Sequence, residues 1–418
     1  MDTATPQNQV HTLDREVARR NPGWSGPFLE EGAALGHAVA GRITTRTEGA
    51  DRSVGTAPSE RYDVVVIGGG QAGLSAGYHL KQRGLSFVIL DAAERVGDVW
   101  RQRWDSLRLF TPARFDGLDG MPFPAPATDF PTKDEMADYL EAYAAHFDLP
   151  VRSGVRVERL SKAGDVFVAE AGGRRYEARQ AIVAMSKYQK PVVPDFAGML
   201  DPGIVQCHSL DYRNPGQLHD GDVLLVGAAN SAPEIARDLA PGRKVYLSGR
   251  HPGHVPFRLE GRVARHVVVP LLFRVVFHRI LTVNTPMGRK ARRGVETGGA
   301  PLIRVKPRDL AAIGVERVPR VAGVSDGRPL LDDGRVLDVA NVVWCTGFTP
   351  GLDWLDVPVF DEERHVVHSR GVTREPGLYV LGLGFLYAFS SMMIQGVGRD
   401  AAFIADRVRE HAVAMAVA

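Results

Sequence analysis

Residues 62–73 read Tyr-Asp-Val-Val-Val-Ile-Gly-Gly-Gly-Gln-Ala-Gly, and they constrain the fold more than any other stretch. Tyr62 and the run Val64, Val65, Val66, Ile67 predict a short strand buried on both faces, as in a parallel sheet. Gly68-x-Gly70-x-x-Gly73 follows at once. Leu74, Ala76, Gly77 and Leu80 then keep an apolar helical face up to Gly84, a helix stop. A second strand over 87–90 ends in Asp91.

Each piece has a physical role. Gly68 permits the tight turn out of the strand, Gly70 lets a pyrophosphate approach the backbone, and Gly73 lets helix and strand pack closely. The helix N-terminus offers unpaired N–H groups and the positive end of its dipole to phosphate. Asp91 stands where a carboxylate accepts hydrogen bonds from both hydroxyls of an adenosine ribose. With the strand before it, the helix after it and the acid beyond, the glycine pattern reads as a dinucleotide site.

The chain has 418 residues, enough for two or three domains. A net charge of +2 gives no case for a nucleic-acid partner. The two cysteines, Cys207 and Cys345, form neither a C-x-x-C nor a C-x4-C redox pair. That usage fits a reducing, cytoplasmic location. No export signal stands behind Arg19-Arg20, and no metal site is expected. The longest apolar stretch, 263–283, is interrupted by Arg265, Arg274 and Arg279, which argues against a spanning helix.

Residues 1–60 are polar and weakly periodic and read as a disordered extension, with one short helix over 32–40. Residues 132–146 form a helix capped by Thr132 with Glu135 three residues on. Short strands are expected over 155–160, 166–169 and 181–184. The chain then runs through Pro191 and Pro194, where a first domain crossing is placed. At Asp222 the opening pattern returns: a strand over 223–226, a turn containing Gly227, Asn230 and Ser231, a helix to Leu239, and a strand ending at Ser248 with Arg250 beyond. Ser248 is set in the place of Asp91. A serine and an arginine there suit a ribose 2′-phosphate, which an acid would repel, so the second unit reads as an NADPH site. Ala229 and Ala232 replace the usual second and third glycines.

Residues 251–300 form a basic, apolar insert. A helix over 271–283 is expected to turn Leu272, Val275, Val276 and Leu281 inward and Arg274 and His278 outward. A packed surface helix, a substrate cover and a weak membrane-surface contact are the three readings of it. A strand over 339–345 runs into Thr346-Gly347, a further strand covers 377–382, and a final helix lies around 397–409.

Taken in order, Gly68-x-Gly70-x-x-Gly73, Gly97-x-x-Trp100, Pro191-x-x-Pro194, Gly227-x-x-Asn230-Ser231 and Cys345-Thr346-Gly347-Phe348-x-Pro350 resemble the flavin-containing monooxygenase family over residues 61–410. The chain is most similar to its compact bacterial branch and to the plant indole-pyruvate monooxygenases. The resemblance implies an α/β chain with two Rossmann-like domains, as in glutathione-reductase-like flavoproteins. The expected division is 61–195 with 335–418 for FAD and 196–334 for NADPH. It implies that Gly68, Gly70, Gln71, Ala72, Gly73 and Asp91 hold the ADP half of FAD, and that Gly97, Val99 and Trp100 run beside the flavin. Gly227, Asn230, Ser231, Ser248 and Arg250 would hold NADPH, and Thr346 and Gly347 would form the turn between domains. The asparagine that many members place near the flavin edge is Phe110 here. His208 and Tyr212 match only the end of the family's F-x-G-x3-H-x3-F/Y signature.

The implied activity is NADPH-dependent insertion of one oxygen atom from O2 into a small organic substrate through a flavin C4a-hydroperoxide. Two alternatives share the cofactor motifs: an NADPH-dependent flavin reductase or oxidase, and a nucleotide-binding redox sensor linked to ion transport.

Overall fold

The computed structural model describes residues 59–255, 261, 264–297 and 301–417. The extension expected before residue 59, with its helix over 32–40, therefore lies outside the described residues.

The opening strand, Ser59–Ile67, pairs in parallel with Phe87–Leu90 on one side and Arg174–Val183 on the other. Val151–Arg152 extends the sheet beyond Phe87–Leu90, and Leu378–Val380 joins Arg174–Val183 at the far end, both in parallel. Val64, Val65 and Val66 are fully buried because helices cover the sheet. Burying each such side chain contributes about 1.5–3 kcal/mol, which is why the central strands tolerate a run with no polar alternation. The helix Gln71–Lys81 packs on the C-terminal helix Ile394–Val417. An ion pair of Arg83 with Asp406 at 2.8 Å ties the two together. The helix Lys133–His146 has the expected capping box between Thr132 and Glu135.

A second sheet repeats the plan. Its five parallel strands lie in the order Glu316–Val318, Val245–Ser248, Val223–Val226, Asn341–Trp344 and Val205–His208. Asn341–Trp344 was expected with the first fold but pairs here, so the return crossing falls after residue 344 and not at 334. The two crossings run side by side: Lys190–Pro191 pairs antiparallel with Phe348–Thr349.

Three further expectations change. The strand expected over 155–160 begins only at Arg159, in the hairpin Arg159–Ala163 with Val166–Ala171. The last helix is much longer than 397–409, spanning Ile394–Val417. The insert helix is π-helical over Leu272–Ile280. Its wider turn makes Phe273 the buried side chain, leaves Val275 and Val276 half-buried, and turns His278 inward, where Nδ1 lies 3.0 Å from Ser390 Oγ. The spacing of an ordinary helix misplaces these residues because an i→i+5 ladder advances each side chain by a different angle.

Candidate functional site

The first turn is built for an anion. Gly68 has φ of +107°, and a Cβ there would come within 2.9 Å of the Ala184 carbonyl oxygen. A Cβ on Gly73 would run into the Gly68 carbonyl, so helix and strand meet only through glycine. A Cβ on Gly70 would meet nothing within 4 Å, which leaves open space over the backbone. The helix Gln71–Lys81 begins there without a side-chain cap and without an acid in its first turn. Its leading N–H groups and dipole are therefore available to a phosphate. Gln71 opens that helix and Ala72 is buried beneath it. Asp91 Oδ2 accepts from Gly69 N at 2.5 Å and Oδ1 from Ala93 N at 2.8 Å. Burial pushes its carboxyl up, and the N–H groups of Ala93 and Gly69 oppose the shift. Each oxygen keeps a lone pair for a ribose hydroxyl. These residues fit the ADP end of a dinucleotide.

The second turn repeats the backbone closely. Gly227 has φ of +108°, and a Cβ on it would overlap the Cys345 carbonyl as one on Gly68 would approach that of Ala184. Gly227 N donates to Ser248 O at 2.9 Å, the counterpart of Gly68 N to Leu90 O at 2.8 Å. This register corrects the sequence reading: the counterpart of Asp91 is Gly249, and Ser248 matches Leu90. A one-residue shift along a strand reverses the side chain. Ser248 accordingly points into the protein, fully buried, where Oγ donates to Pro319 O at 2.8 Å and accepts from Val321 N at 3.1 Å. It is a structural residue and is not available to a phosphate. Arg250 is exposed beyond the strand tip.

Asn230 also has a different task from the one expected. Its Oδ1 accepts from Ile303 N and its Nδ2 donates to Pro301 O, each at 3.1 Å, so the side chain fastens the return of the insert to the turn. Ser231 starts the helix Ser231–Leu239, which has no side-chain cap but carries Glu234 in its first turn. Arg304 lies 3.8 Å from that carboxylate and also donates to the Arg108 carbonyl at 3.2 Å, linking the two folds.

Several residues of the second fold and the insert carried no sequence signal. Arg317, on the strand beside Val245–Ser248, donates to the Gly249 carbonyl at 2.6 Å. A cavity of about 260 Å³ is lined by His254, Lys306, Pro307 and Arg308. Arg317 is brought to the strand tip by tertiary packing alone.

Between the folds, Gly97 (φ +90°) lies against the helix Lys133–His146, where a Cβ would come within 2.5 Å of Ala137 O. Val99 is exposed on the next turn, and Trp100 packs against the cores of both folds. At the crossings Val192 N donates to Gly347 O at 3.0 Å, and Thr346 Oγ1 donates to Val192 O. His208 sits just behind, edge-on to Phe348 at 4.8 Å. Burial holds its imidazole down at about 4, and Arg103 adds to the effect, so it is neutral at physiological pH. Tyr212 is fully buried in the second core. The loop after Phe110 buries Asp116, which accepts from Thr111 Oγ1; burial pushes its carboxyl up to about 8 against that hydrogen bond.

Both thiols are free. Burial pushes Cys207 up to about 12 and Cys345 higher still. Neither is poised as a thiolate nucleophile.

Residues 65–257 match the pyridine nucleotide-disulphide oxidoreductase family model. A CzcO-like oxidoreductase of Geobacillus kaustophilus is 37% identical over 352 residues, covering 84% of this chain and 99% of that protein. A probable indole-3-pyruvate monooxygenase of Arabidopsis thaliana, YUCCA3, is 29% identical over 364 residues, covering 76% and 81%. The solved flavin-containing monooxygenase from Stenotrophomonas maltophilia is 30% identical, with TM-score 0.67 and coverage of 84% and 99%. Two linked dinucleotide folds of this kind define a two-domain flavoprotein oxidoreductase. The chain belongs to the flavin-containing monooxygenase family, and with that membership goes a flavin cofactor.

Proposed function

We propose that the protein is an NADPH-consuming monooxygenase that inserts one oxygen atom from O2 into a small organic substrate. The observation that carries this reading is the matched pair of glycine turns, each opening onto an uncapped helix N-terminus. Bound FAD would supply the redox chemistry, taking hydride from NADPH and activating dioxygen. Gly68, Gly70, Gln71, Ala72, Gly73 and Asp91 would hold its ADP half, with Gly97, Val99 and Trp100 along the path toward the second fold. Gly227, Ser231 and Arg250 would hold NADPH, joined by Arg317. Asn230 and Ser248 would support that site from behind. Thr346 and Gly347 would keep the two crossings together, and with them the two cofactors. The buried, protonated thiols favour oxygen transfer over dithiol reduction.

The test is coupling. Purified protein is given NADPH and a panel of amines, sulfides and 2-oxo acids, and oxygenated product and hydrogen peroxide are both measured. At least one class of substrate is expected to convert NADPH consumption into oxygenated product. If every NADPH oxidised is recovered as peroxide throughout the panel, the protein is an oxidase. That outcome would trace to Phe110, which replaces the asparagine many members of the family place at the flavin edge.

A further inference from the structure

Residues 261–295 contain eight Lys and Arg and no Asp or Glu. The whole chain has 51 basic and 49 acidic residues, so the remainder holds 43 and 49. This stretch of the insert thus carries +8 on a protein that is otherwise −6. Such asymmetry marks a surface for an anionic partner.

The inner side of this segment is already occupied. Phe273 stacks on Phe115 with centroids 5.1 Å apart, and Phe277 meets Phe389 at 4.5 Å. The turn after the π-helix is fixed by Phe389 N to Leu281 O at 2.9 Å and Val283 N to Tyr387 O at 2.8 Å. A Cβ on Gly288 would overlap the Thr282 backbone, so the next helix, Pro286–Thr297, folds back tightly on this turn.

The outer side is different. Val267, Leu271, Ile280 and Met287 are 60%, 57%, 36% and 61% exposed. Val267, Leu271 and Ile280 recur at a spacing close to the wide turn of an i→i+5 helix, so they form a stripe. Arg274, Arg279, Arg289 and Lys290 are exposed on the same segment. Aliphatic side chains left in water among cations, on a stretch with no Asp or Glu between residues 261 and 295, match an interfacial helix and an anionic bilayer surface. A nucleic-acid surface would explain the cations but not the aliphatic stripe, because bases are held by exposed aromatic side chains. No helix among the described residues is long and apolar enough to cross a membrane, so the contact is peripheral.

We propose that the outer face of the 264–294 insert docks the enzyme on anionic lipid bilayers. The apolar stripe enters the headgroup boundary and the arginines and lysine pair with lipid phosphates.

The test is co-sedimentation of the flavin-loaded enzyme with vesicles of phosphatidylcholine alone and of phosphatidylcholine mixed equally with phosphatidylglycerol. Binding is expected only to the mixed vesicles, weakening as salt rises. Arg279→Glu with Lys290→Glu should weaken partitioning by on the order of thirtyfold. Leu271→Glu with Met287→Glu should abolish it while both double variants keep wild-type flavin content and NADPH oxidation. No binding to the mixed vesicles overturns the proposal, as does equal binding to neutral ones. So does binding to heparin or DNA that survives the Leu271 and Met287 changes, or a dimer that Leu271→Glu dissociates.

Discussion

The carbonyl oxygens of Leu90 and Ser248 hold equivalent positions in the two folds. Each accepts the N–H of the first glycine of its turn, Gly68 at 2.8 Å and Gly227 at 2.9 Å. Asp91 and Gly249 therefore occupy equivalent positions. The first fold presents a carboxylate at the strand tip and the second presents bare backbone, whose Gly249 carbonyl accepts from Arg317 and beyond which Arg250 is exposed.

This register separates two residues that sequence alone groups together. Ser248→Ala should cost about 1–3 kcal/mol of stability, because Pro319 O and Val321 N lose their partner in the interior. It should leave the ratio of kcat/KM for NADPH over NADH unchanged. Arg250→Ala should do the reverse, lowering kcat/KM for NADPH by very roughly ten- to a hundredfold while NADH changes little. Steady-state flavin reduction with both cofactors measures this, and equal losses for Arg250→Ala would assign it to the fold.

The glycines of the first turn should fail in different ways. Gly70 has φ of −76° and open space where a Cβ would stand. Gly70→Val should fold normally and purify without colour, because the valine occupies the path of the pyrophosphate. Gly73→Val must push backbone apart and should lose about 1–3 kcal/mol of stability. Flavin absorbance and apo-protein melting temperatures distinguish the two. A Gly70→Val protein with a full complement of FAD would refute the assignment.

Asp116 gives a pH dependence with a definite sign. Its folded pKa of about 8 lies above the usual carboxylate value because it is buried. Between about pH 4 and 8 the folded state thus binds more protons than the unfolded chain. Its contribution to stability is fully present below pH 4 and is lost as pH rises through 8, at up to about 1.4 kcal/mol per pH unit. Asp116→Asn should flatten this slope and be more stable than wild type at pH 8. Denaturant midpoints from pH 5 to 8.5 check it.

His208 acts in the opposite direction. Its pKa is lowered to about 4, so the unfolded chain binds the extra proton between about pH 4 and 6.5. Stability present above pH 6.5 is lost as pH falls toward 4. His208→Gln should lose less stability than wild type between pH 7 and 5. Because the imidazole is neutral throughout, kcat/KM for NADPH should show no inflection near pH 6.5 that the variant removes.

Much of this molecule was legible in the chain itself. The runs at 64–67 and 223–226, the glycines that follow them and the Thr132 cap are local signals, set by burial and by backbone conformations within a dozen residues. They determined the parallel strands at the centre of both sheets, both turns and the place of Asp91. Tertiary structure decided the rest. Strand register, which is fixed by hydrogen bonds between segments far apart in sequence, turned Ser248 inward and put Gly249 at the tip. The insert is a π-helix whose Phe273 and Phe277 pack on Phe115 and Phe389, with its aliphatic stripe and its cations exposed. Arg317 reaches the second turn only because the strand Glu316–Val318, from beyond the insert, pairs with Val245–Ser248, and residue spacing carries no trace of that.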